Sequence, residues 1–309
     1  MTSSPAIDVR GLVKIYGKRV VVDHVDLQIM PGRICGFLGP NGSGKTTTLR
    51  MICGLLDPDG GEGTCLGHEI IRERDAIKAQ AGYMTQRFGL YEDLTIRENL
   101  EFVGRLYRLA HLRRVVDGAL ERLGLASRQH QLTGSLSGGW KQRLALTACV
   151  LHQPKLLLLD EPTAGVDPKA RRAFWDEIHA LAAEGITVLV STHYMDEAER
   201  CHEIAYIAYG KLMARGTAEE IIAQSGLSAL VATGPGADRL APQLRDVRGI
   251  TAAAAFGTTL HVCGPDRDRL WEAVRPHLRG AIEWDEATPT LEDVFIHLMG
   301  QAQDNAEAA

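Results

Sequence analysis

Eight consecutive residues in the first fifth of the chain have the composition and spacing of a phosphate-binding loop. They are Gly39, Pro40, Asn41, Gly42, Ser43, Gly44, Lys45 and Thr46, which fit the pattern G-x-x-x-x-G-K-[ST]. Glycines let the backbone curl so that several N–H groups point at one anion, and a following helix adds its partial positive charge. Lys45 is placed to neutralise β- and γ-phosphates, and the Thr46 hydroxyl to ligate Mg²⁺. The loop predicts nucleoside triphosphate binding, and we include Thr47 in the contact set.

Two adjacent acids follow a second apolar run. Four leucines at 156–159 lead directly into Asp160 and Glu161. A buried strand that ends in carboxylates places them at the carboxyl edge of a sheet, where open α/β sheets bind ligands. There Asp160 would hold Mg²⁺, and Glu161 would orient or deprotonate an attacking water. On its own, the pair fits two solvated acids in a turn equally well, and the phosphate loop favours the catalytic interpretation.

A third segment could also bind an anion. Ser137 precedes Gly138 and Gly139, ahead of a stretch with helical composition. Ser137 can cap that helix, while the glycines leave its first N–H groups uncovered. Such a helix start has a clear purpose if it meets the terminal phosphate of a nucleotide held elsewhere.

The elements that must position these residues alternate between strand and helix. An apolar run at 33–38 predicts a buried strand, and a helix from about 45 to 53 follows the phosphate loop. A strand at 155–160, a helix at 169–183 and a strand at 186–191 then form a β-α-β unit. This order predicts an α/β fold with a parallel sheet, preceded by paired antiparallel strands.

The chain divides by composition and periodicity into several parts. We predict an ATP-binding domain at 1–224, within which residues 87–152 form a helical subdomain. After about residue 225 lysine disappears and alanine and glycine increase, which predicts a small C-terminal α+β domain at 225–300, of β-α-β type. Within it we expect a helix at 238–245, a single element at 250–263 and a helix at 268–278. Residues 301–309 are expected to form a flexible tail.

Composition excludes several classes of protein. The 309 residues carry a net charge of −5, with 27 acidic and 27 basic residues in 1–220, and contain no basic stripe, which argues against nucleic acid as a partner. No run approaches the roughly 18 consecutive apolar residues of a membrane-spanning helix. The six cysteines form no C-x-x-C pair, and the first eight residues lack the features of a signal peptide, so the expected compartment is the cytoplasm.

These motifs occur in the order found in ATP-binding subunits of ABC transporters, which the chain resembles over roughly residues 7–220. The fold so implied is a P-loop NTPase ABC-type ATPase core with an antiparallel β subdomain and a helical subdomain. Tyr16 stands at the position of the adenine-stacking aromatic, and Gln86 at that of the Q-loop glutamine. The segment 136–140 resembles the signature motif, Asp167 ends a D-loop-like Gly-Val-Asp, and His193 resembles the switch histidine.

The resemblance implies roles and partners that the residues alone do not. Lys45, Gln86, Glu161 and His193 form the implied catalytic set, and Thr46, Gln86 and Asp160 the implied Mg²⁺ set. In this family two such domains, here most simply two copies, close head to tail around two ATP molecules. The phosphate loop of one copy then faces the signature motif of the other. An integral membrane permease is the implied further partner, which would place the chain on the inner face of the cell membrane.

Two further segments resemble the exporter ATPases of the ABC-2 type, a group that includes drug- and antibiotic-resistance proteins. They are 88–100, after the Q-loop, and 289–295, which reads P-x-L-E-D-x-F. The second also fits an amphipathic terminal helix whose acidic first turn suits the helix dipole. Within the first, Phe88, Leu90 and Tyr91 either dock a coupling helix of the permease or pack beneath the helical subdomain.

One residue departs from the family pattern. The fifth signature position is usually Gln and is Trp140 here, which leaves two places open for its ring: on the helix, or at the coupling region. Two other functions also stay open at this point. One is a soluble ABC-type ATPase of translation or DNA repair, which the single cassette and balanced charge disfavour. The other is a nucleotide-gated regulatory module with little hydrolysis, which intact Lys45 and Glu161 disfavour.

Overall fold

The computed structural model describes residues 4–278 and 281–301, and the chain divides into two compact units between Leu212 and Met213. This division lies earlier in the chain than the predicted domain limit at 224, and the limits 1–224 and 225–300 stay predictions. Of the expected tail at 301–309, only the backbone of Gln301 falls within the described residues, where it ends the last helix.

Fourteen strands lie within the described residues. They are β1 (Ile7–Tyr16), β2 (Arg19–Ile29), β3 (Ile34–Leu38), β4 (Gly60–Cys65), β5 (His68–Glu69), β6 (Ala81–Met84), β7 (Leu156–Asp160), β8 (Thr187–Thr192), β9 (Glu203–Ala208), β10 (Lys211–Gly216), β11 (Ser228–Thr233), β12 (Ala252–Phe256), β13 (Thr259–Gly264) and β14 (Glu283–Ala287).

Eleven α-helices accompany them over the same described ranges. They are α1 (Lys45–Ile52), α2 (Arg74–Gln80), α3 (Ile96–Leu106), α4 (Leu112–Leu123), α5 (Gly138–Val150), α6 (Pro168–Ala183), α7 (Met195–Ala198), α8 (Ala218–Gln224), α9 (Ala241–Leu244), α10 (Arg267–Val274) and α11 (Leu291–Gln301).

Two sheets contain the strands β1 to β10. One is antiparallel, in the order β2-β1-β4-β5. The other runs β10-β9-β3-β8-β7-β6, and within it β3 is parallel to both β8 and β9, while β7 is parallel to both β6 and β8. Every residue of β3, β7 and β8 is buried. Strands buried on both faces read as continuous apolar runs, which explains why sequence periodicity located them.

Three helices carry the segment predicted to be a helical subdomain. Helices α3, α4 and α5 pack around an apolar cluster that includes Leu100, Leu120 and Leu144. At the start of α3, Thr95 and Glu98 form a reciprocal capping box, in which each side chain accepts from the other residue's backbone N–H. Gly124, in the left-handed conformation with φ 68°, ends α4.

The second unit corrects one sequence expectation, because its sheet is antiparallel and not of β-α-β type. Its four strands run in the order β12-β13-β11-β14, and each neighbouring pair is antiparallel. The predicted single element at 250–263 is a hairpin of β12 and β13. Gly257, at φ 61°, supplies the left-handed residue that a two-residue turn requires between Phe256 and Thr259. The expected helix at 238–245 is a 3₁₀ turn over Ala237–Leu240 followed by the short α9.

All six cysteines carry thiols rather than disulfides. Burial raises the pKa of Cys53 to about 11 and that of Cys65, Cys149 and Cys263 to about 12, and it raises the pKa of Cys201 as well. Among the described residues, no helix combines the length and the apolar character needed to cross a bilayer.

Candidate nucleotide-hydrolysis site

The phosphate loop joins the buried strand β3 to α1, as the sequence predicted. Gly44 precedes α1 with φ 100°, and a Cβ atom there would lie 2.6 Å from the carbonyl oxygen of Val21. At Gly39 a Cβ would lie 2.1 Å from the carbonyl oxygen of Ile207. Only glycine fits at these two positions, because the loop backbone passes too close to the backbone of neighbouring strands to leave room for a side chain.

Lys45 is held inside this loop. The side chain is 4% exposed, and its Nζ donates to the carbonyl oxygens of Gly39 and Pro40 at 2.8 and 3.0 Å. Burial lowers the pKa of Lys45, an effect that the nearby Glu161 and Asp160 carboxylates oppose. The result is an ammonium group fixed at the concave side of the loop by its own backbone.

The rest of the loop also suits a phosphate. Ser43 Oγ is buried and finds no hydrogen-bond partner among the described residues. A buried hydroxyl without a partner is unusual, and a phosphate oxygen would satisfy it. Asn41 and Gly42 are exposed at the tip of the loop, and Thr47 is half-buried in the first turn of α1. The chemistry of the loop therefore fits a polyphosphate.

Asp160 lies at the end of β7, where three hydroxyl groups surround it. Its Oδ1 accepts from Thr46 Oγ1 at 2.9 Å and from Ser191 Oγ at 2.8 Å, while its Oδ2 accepts from Tyr83 at 3.3 Å. The described residues contain no group of three or more His, Cys, Asp or Glu side chains suited to a metal. One carboxylate beside one threonine hydroxyl instead fits Mg²⁺, which usually keeps several waters and takes substrate phosphates as further ligands.

Glu161 forms the centre of a second group. Its backbone has φ 46°, and its N–H donates to Ser191 Oγ at 2.9 Å. One carboxylate oxygen, Oε1, lies 3.4 Å from Lys45 Nζ. The other, Oε2, accepts from Gln86 Nε2 at 3.1 Å and lies 3.4 Å from His193 Nδ1. Four residues from four separate chain segments, all predicted as the catalytic set, therefore converge here.

The signature segment lies apart from this convergence. Ser137 precedes α5 but makes no capping hydrogen bond through its side chain, so the predicted cap is wrong. Gly138 is exposed at the start of α5, and Gly139 packs so closely on α6 that a Cβ would lie 2.6 Å from Ala170 Cβ. Ser137 and Gly139 line a cavity of about 320 Å³ together with Asp167.

Asp167 has a clear local role. Its Oδ1 accepts from the N–H groups of Lys169 and Ala170 at 3.1 and 3.0 Å, and Pro168 occupies the first turn of α6. This is a strong N-cap, and it anchors the D-loop-like segment to the helix that follows.

Tyr16 ends β1 on the surface. Its side chain is 51% exposed, and Lys14 Nζ lies 5.7 Å from the centre of its ring. The exposed ring can accept a stacked base.

Trp140 takes the first of the two places left open for it. The ring packs against the apolar cluster of α3, α4 and α5, and the guanidinium of Arg143 lies 4.8 Å from the ring centre. Arg128 lies on the same ring at 5.9 Å. Trp140 thus contributes a half-buried cation–π contact at the helix start.

Sequence reasoning missed two residues of the site, Tyr83 and Ser191. Both lie on strands next to β7, and both hydrogen-bond to Asp160. Ser191 could have been found, because a polar residue at the end of the neighbouring predicted strand shares the carboxyl edge with Asp160. Tyr83 had no such signal, because β6 was not predicted.

Comparison with known proteins identifies the family to which this chain belongs. Residues 22–164 match the ABC transporter family. The chain is 37% identical to the daunorubicin resistance ATP-binding protein DrrA3 of Streptomyces coeruleorubidus, covering 98% of this chain and 99% of that one. It is 36% identical to the Nod factor export ATP-binding protein I of Paraburkholderia xenovorans, covering 96% and 97%. The chain belongs to the ABC transporter family of ATP-binding proteins, which confirms the predicted resemblance.

Another relative is longer. The chain is 42% identical to the probable multidrug ABC transporter ATP-binding protein YbhF of Escherichia coli over 71% of its own length, but it spans only 38% of that protein. Among solved structures, one described as the ATP-binding subunit of an ABC transporter matches with a TM-score of 0.65 and 29% identity, covering 72% of this chain and 93% of that one. The cbiO1 protein of Clostridium perfringens matches with 0.66 and 26%, covering 72% and 92%. These likenesses confirm the predicted α/β ATPase fold.

Proposed function

We propose that this chain is the ATP-hydrolysing subunit of an ABC exporter and that it energises export through a separate membrane subunit. The observation behind the proposal is that Lys45, Gln86 and His193 converge on the carboxylate of Glu161, beside the phosphate loop. Relatives named for daunorubicin resistance and Nod factor export support drugs or other hydrophobic, lipid-like compounds as the cargo class. None of the relatives described above is named for translation or DNA repair.

The proposed chemistry divides between two carboxylates with different surroundings. Glu161 receives the proton of the attacking water at Oε2, where Gln86 Nε2 and His193 Nδ1 fix its orientation. Lys45 carries the fixed positive charge that the terminal phosphate meets. Asp160 accepts hydrogen bonds from three hydroxyl groups, one of which is that of Thr46.

Thr46, Asp160 and Gln86 would hold Mg²⁺, which would supply positive charge that offsets the charge of the phosphates. Thr46 Oγ1 and Asp160 Oδ1 already lie 2.9 Å apart, so these two oxygens fit a shared cation. His193 completes the set near the terminal phosphate. Tyr16 offers its exposed ring to adenine.

A second copy of the chain completes the proposed site. Ser137, Gly138 and Gly139 present a helix start whose hydroxyl the helix does not use, and Asp167 lines the same cavity. We assign this surface to the terminal phosphate of the ATP held by the partner copy. The energy for conformational change is then the greater affinity of ATP for the closed dimer over the open one.

A groove on the first unit supports a membrane subunit as the second partner. Its cavity, of about 240 Å³, is lined largely by apolar side chains of β6, α3 and α5 and the loop after Gln86, among them Leu90. Tyr91 is exposed close by, whereas Phe88 and Leu90 are half-buried and pack against the apolar clusters. The docking proposal therefore rests on Tyr91 and the groove. It places the chain in the cytoplasm, peripheral on the inner membrane face.

The experiment that tests hydrolysis compares the wild-type chain with Lys45→Ala, alone and with its permease in liposomes. We expect Lys45→Ala to lose about 100-fold or more in ATP turnover, the typical cost of one charge-stabilising group. The exposed Lys18→Ala variant serves as the matched control and should hydrolyse normally. Equal turnover by Lys45→Ala and wild type would contradict the proposed function and favour a regulatory module.

Complementation tests the shared site. Lys45→Ala and Ser137→Ala should each be inactive alone, but a mixed dimer contains one site with both wild-type residues. Mixing the two inactive proteins should therefore restore turnover. If the mixture stays inactive while each variant still dimerises, Ser137 does not serve the partner's nucleotide.

A further inference from the structure

A fully buried carboxylate lies next to the site but has no role in the proposed hydrolysis. Glu197, on α7, is 0% exposed. Its Oε1 accepts from the Thr163 hydroxyl, and its Oε2 accepts from Thr192 Oγ1 at 2.7 Å. Arg171 Nε lies 3.6 Å from Oε1. Both carboxylate oxygens are therefore engaged, and one cation offsets the charge.

The three partners of Glu197 come from three segments that carry residues of the proposed site or of the predicted D-loop. Thr163 lies two residues after Glu161, and Thr192 immediately precedes His193. Arg171 belongs to the first turns of α6, the helix that Asp167 caps. One carboxylate thus fastens together the loop after β7, the end of β8 and the start of α6.

Burial makes this arrangement informative. A carboxylate removed from water is costly unless it is paired and hydrogen-bonded, and an apolar side chain of similar volume would avoid that cost. Charge-assisted hydrogen bonds are directional, so they fix the separation of the segments that they join more tightly than apolar packing does. The guanidinium of Arg171 also lies 4.4 Å from the ring centre of Tyr194, which fixes the residue after His193.

We propose that Glu197 is a positioning residue that sets the geometry between Glu161 and His193. The inference rests on the proposed function, because it assigns a purpose to the 3.4 Å approach of Glu161 Oε2 and His193 Nδ1. Glu197 touches neither residue directly. It holds Thr163 and Thr192, and through the backbone these hold the two reacting side chains in register.

This assignment separates turnover from nucleotide affinity. The phosphate-binding loop joins β3 to α1, and it meets this cluster through the backbone, where the Gly39 N–H donates to the carbonyl oxygen of Thr192 at 3.3 Å. The hydrogen bonds and the ion pair of the Glu197 carboxylate go instead to Thr163, Thr192 and Arg171. Loss of the Glu197 contacts should therefore lower kcat and leave KM for ATP nearly unchanged. A purely structural role would lower the melting temperature and the fraction of folded protein without changing kcat per folded molecule.

The test measures kcat, KM and melting temperature for Glu197→Gln, Thr163→Val and Thr163→Ser in the full-length chain. Glu197→Gln keeps the volume but loses the charge, and we expect kcat to fall about 10-fold, with KM within about twofold of wild type. Thr163→Val should show a similar loss, and Thr163→Ser should restore kcat because it returns the hydroxyl donor. Asp196→Asn is the matched control, because the adjacent Asp196 contacts the same Arg171 but is largely exposed; its kcat should equal that of wild type.

A double variant adds a readout that a structural role would not move. In a His193→Ala background, Glu197→Gln should cost much less than in the wild type, because the geometry that it sets no longer matters. Three results would overturn the inference about Glu197 and leave the proposed function intact. They are an unchanged kcat in Glu197→Gln, additive losses in the double variant, and equal impairment in Thr163→Ser and Thr163→Val. If the wild-type chain itself fails to hydrolyse ATP in a Lys45-dependent way, the proposed function fails, and the inference fails with it.

Discussion

The two compact units bury polar side chains to very different extents. Among the described residues, thirteen polar or charged residues are buried in the first unit and one, Asp293, in the second. Many of the thirteen lie near the carboxyl ends of β3, β7 and β8, where the carboxylates of Asp160, Glu161 and Glu197 accept hydrogen bonds from other segments. In the second unit the buried core is almost wholly apolar. Burying polar side chains is costly, and their concentration in the first unit agrees with the site that we propose there.

The single exception in the second unit has a local explanation. Asp293 Oδ2 accepts from the N–H and the hydroxyl of Thr290, both at 2.8 Å, and the Thr290 hydroxyl accepts from the N–H of Asp293. This is a reciprocal cap at the start of α11. The same comparison therefore separates a carboxylate that stabilises a helix from the carboxylates that we propose for ATP hydrolysis.

The largest effect on turnover is expected when the charge of Glu161, in the first unit, is removed. Glu161→Gln keeps the shape and the Gln86 contact but removes the proton acceptor, so turnover should fall about 100-fold or more while ATP binding is retained. The retained ATP should favour a closed dimer. Steady-state hydrolysis and sedimentation with Mg²⁺ and ATP measure both effects, with the exposed Glu184→Gln as control. Normal hydrolysis by Glu161→Gln would remove the role given to its carboxylate.

A smaller effect is expected at Tyr83. Tyr83→Phe deletes the hydroxyl that donates to Asp160 Oδ2 but leaves the contacts from Thr46 and Ser191. We expect the Mg²⁺ concentration for half-maximal turnover to rise about 3- to 10-fold, which corresponds to roughly 1 kcal/mol, the typical net value of one hydrogen bond. Tyr91→Phe, on the exposed loop, is the matched control. An unchanged Mg²⁺ requirement would show that the hydroxyl does not position Asp160.

A substitution in the second unit should lower the free energy of unfolding without changing ATP turnover. Asp293→Ala removes the reciprocal cap of α11, with an expected loss of about 1 kcal/mol of unfolding free energy. Turnover per folded molecule should match wild type. Glu292→Ala, at the exposed neighbouring position, should change neither quantity. Chemical denaturation followed by far-UV circular dichroism measures the loss, and a large fall in kcat for Asp293→Ala would contradict the division between the units.

The smallest effect is expected at Trp140. Trp140→Phe keeps an aromatic ring beside Arg143 and should lower stability by about 0.5 kcal/mol, because the cation–π contact with Phe is weaker. Turnover should stay within twofold of wild type, since the ring packs on the helical cluster and a phenylalanine ring keeps the apolar wall that Trp140 adds to the cavity beside Ser137. A large loss of turnover with normal stability would instead place Trp140 in contact with the partner's nucleotide.

Sequence was sufficient where the signal was local. The phosphate loop, the buried strand before Asp160 and the helix after Asp167 depend on neighbouring residues, and the structure confirms these elements near the predicted positions. The convergence around Glu161 was implied by family resemblance and not by spacing, because its members come from distant segments.

Elements with weak or misleading patterns were either missed, as β4 was, or merged with a neighbour, as β12 was with β13. The strand β4 reads GGEGTC and β12 reads AAAAF, and neither alternates apolar with polar residues as a half-buried strand should. Pairing with neighbours makes these segments strands, and one sequence window cannot show this. The same limit concealed Glu197, whose partners Thr163 and Thr192 meet only after β7 and β8 lie side by side.

The buried thiols make this protein convenient for attaching probes. Thiol-reactive labels attack the thiolate, and a pKa of about 11 to 12 leaves almost no thiolate at neutral pH. A single cysteine placed at an exposed position such as Ser137 should therefore take up a fluorophore or crosslinker in the native background. Distances between two copies could then be measured without first replacing the natural cysteines.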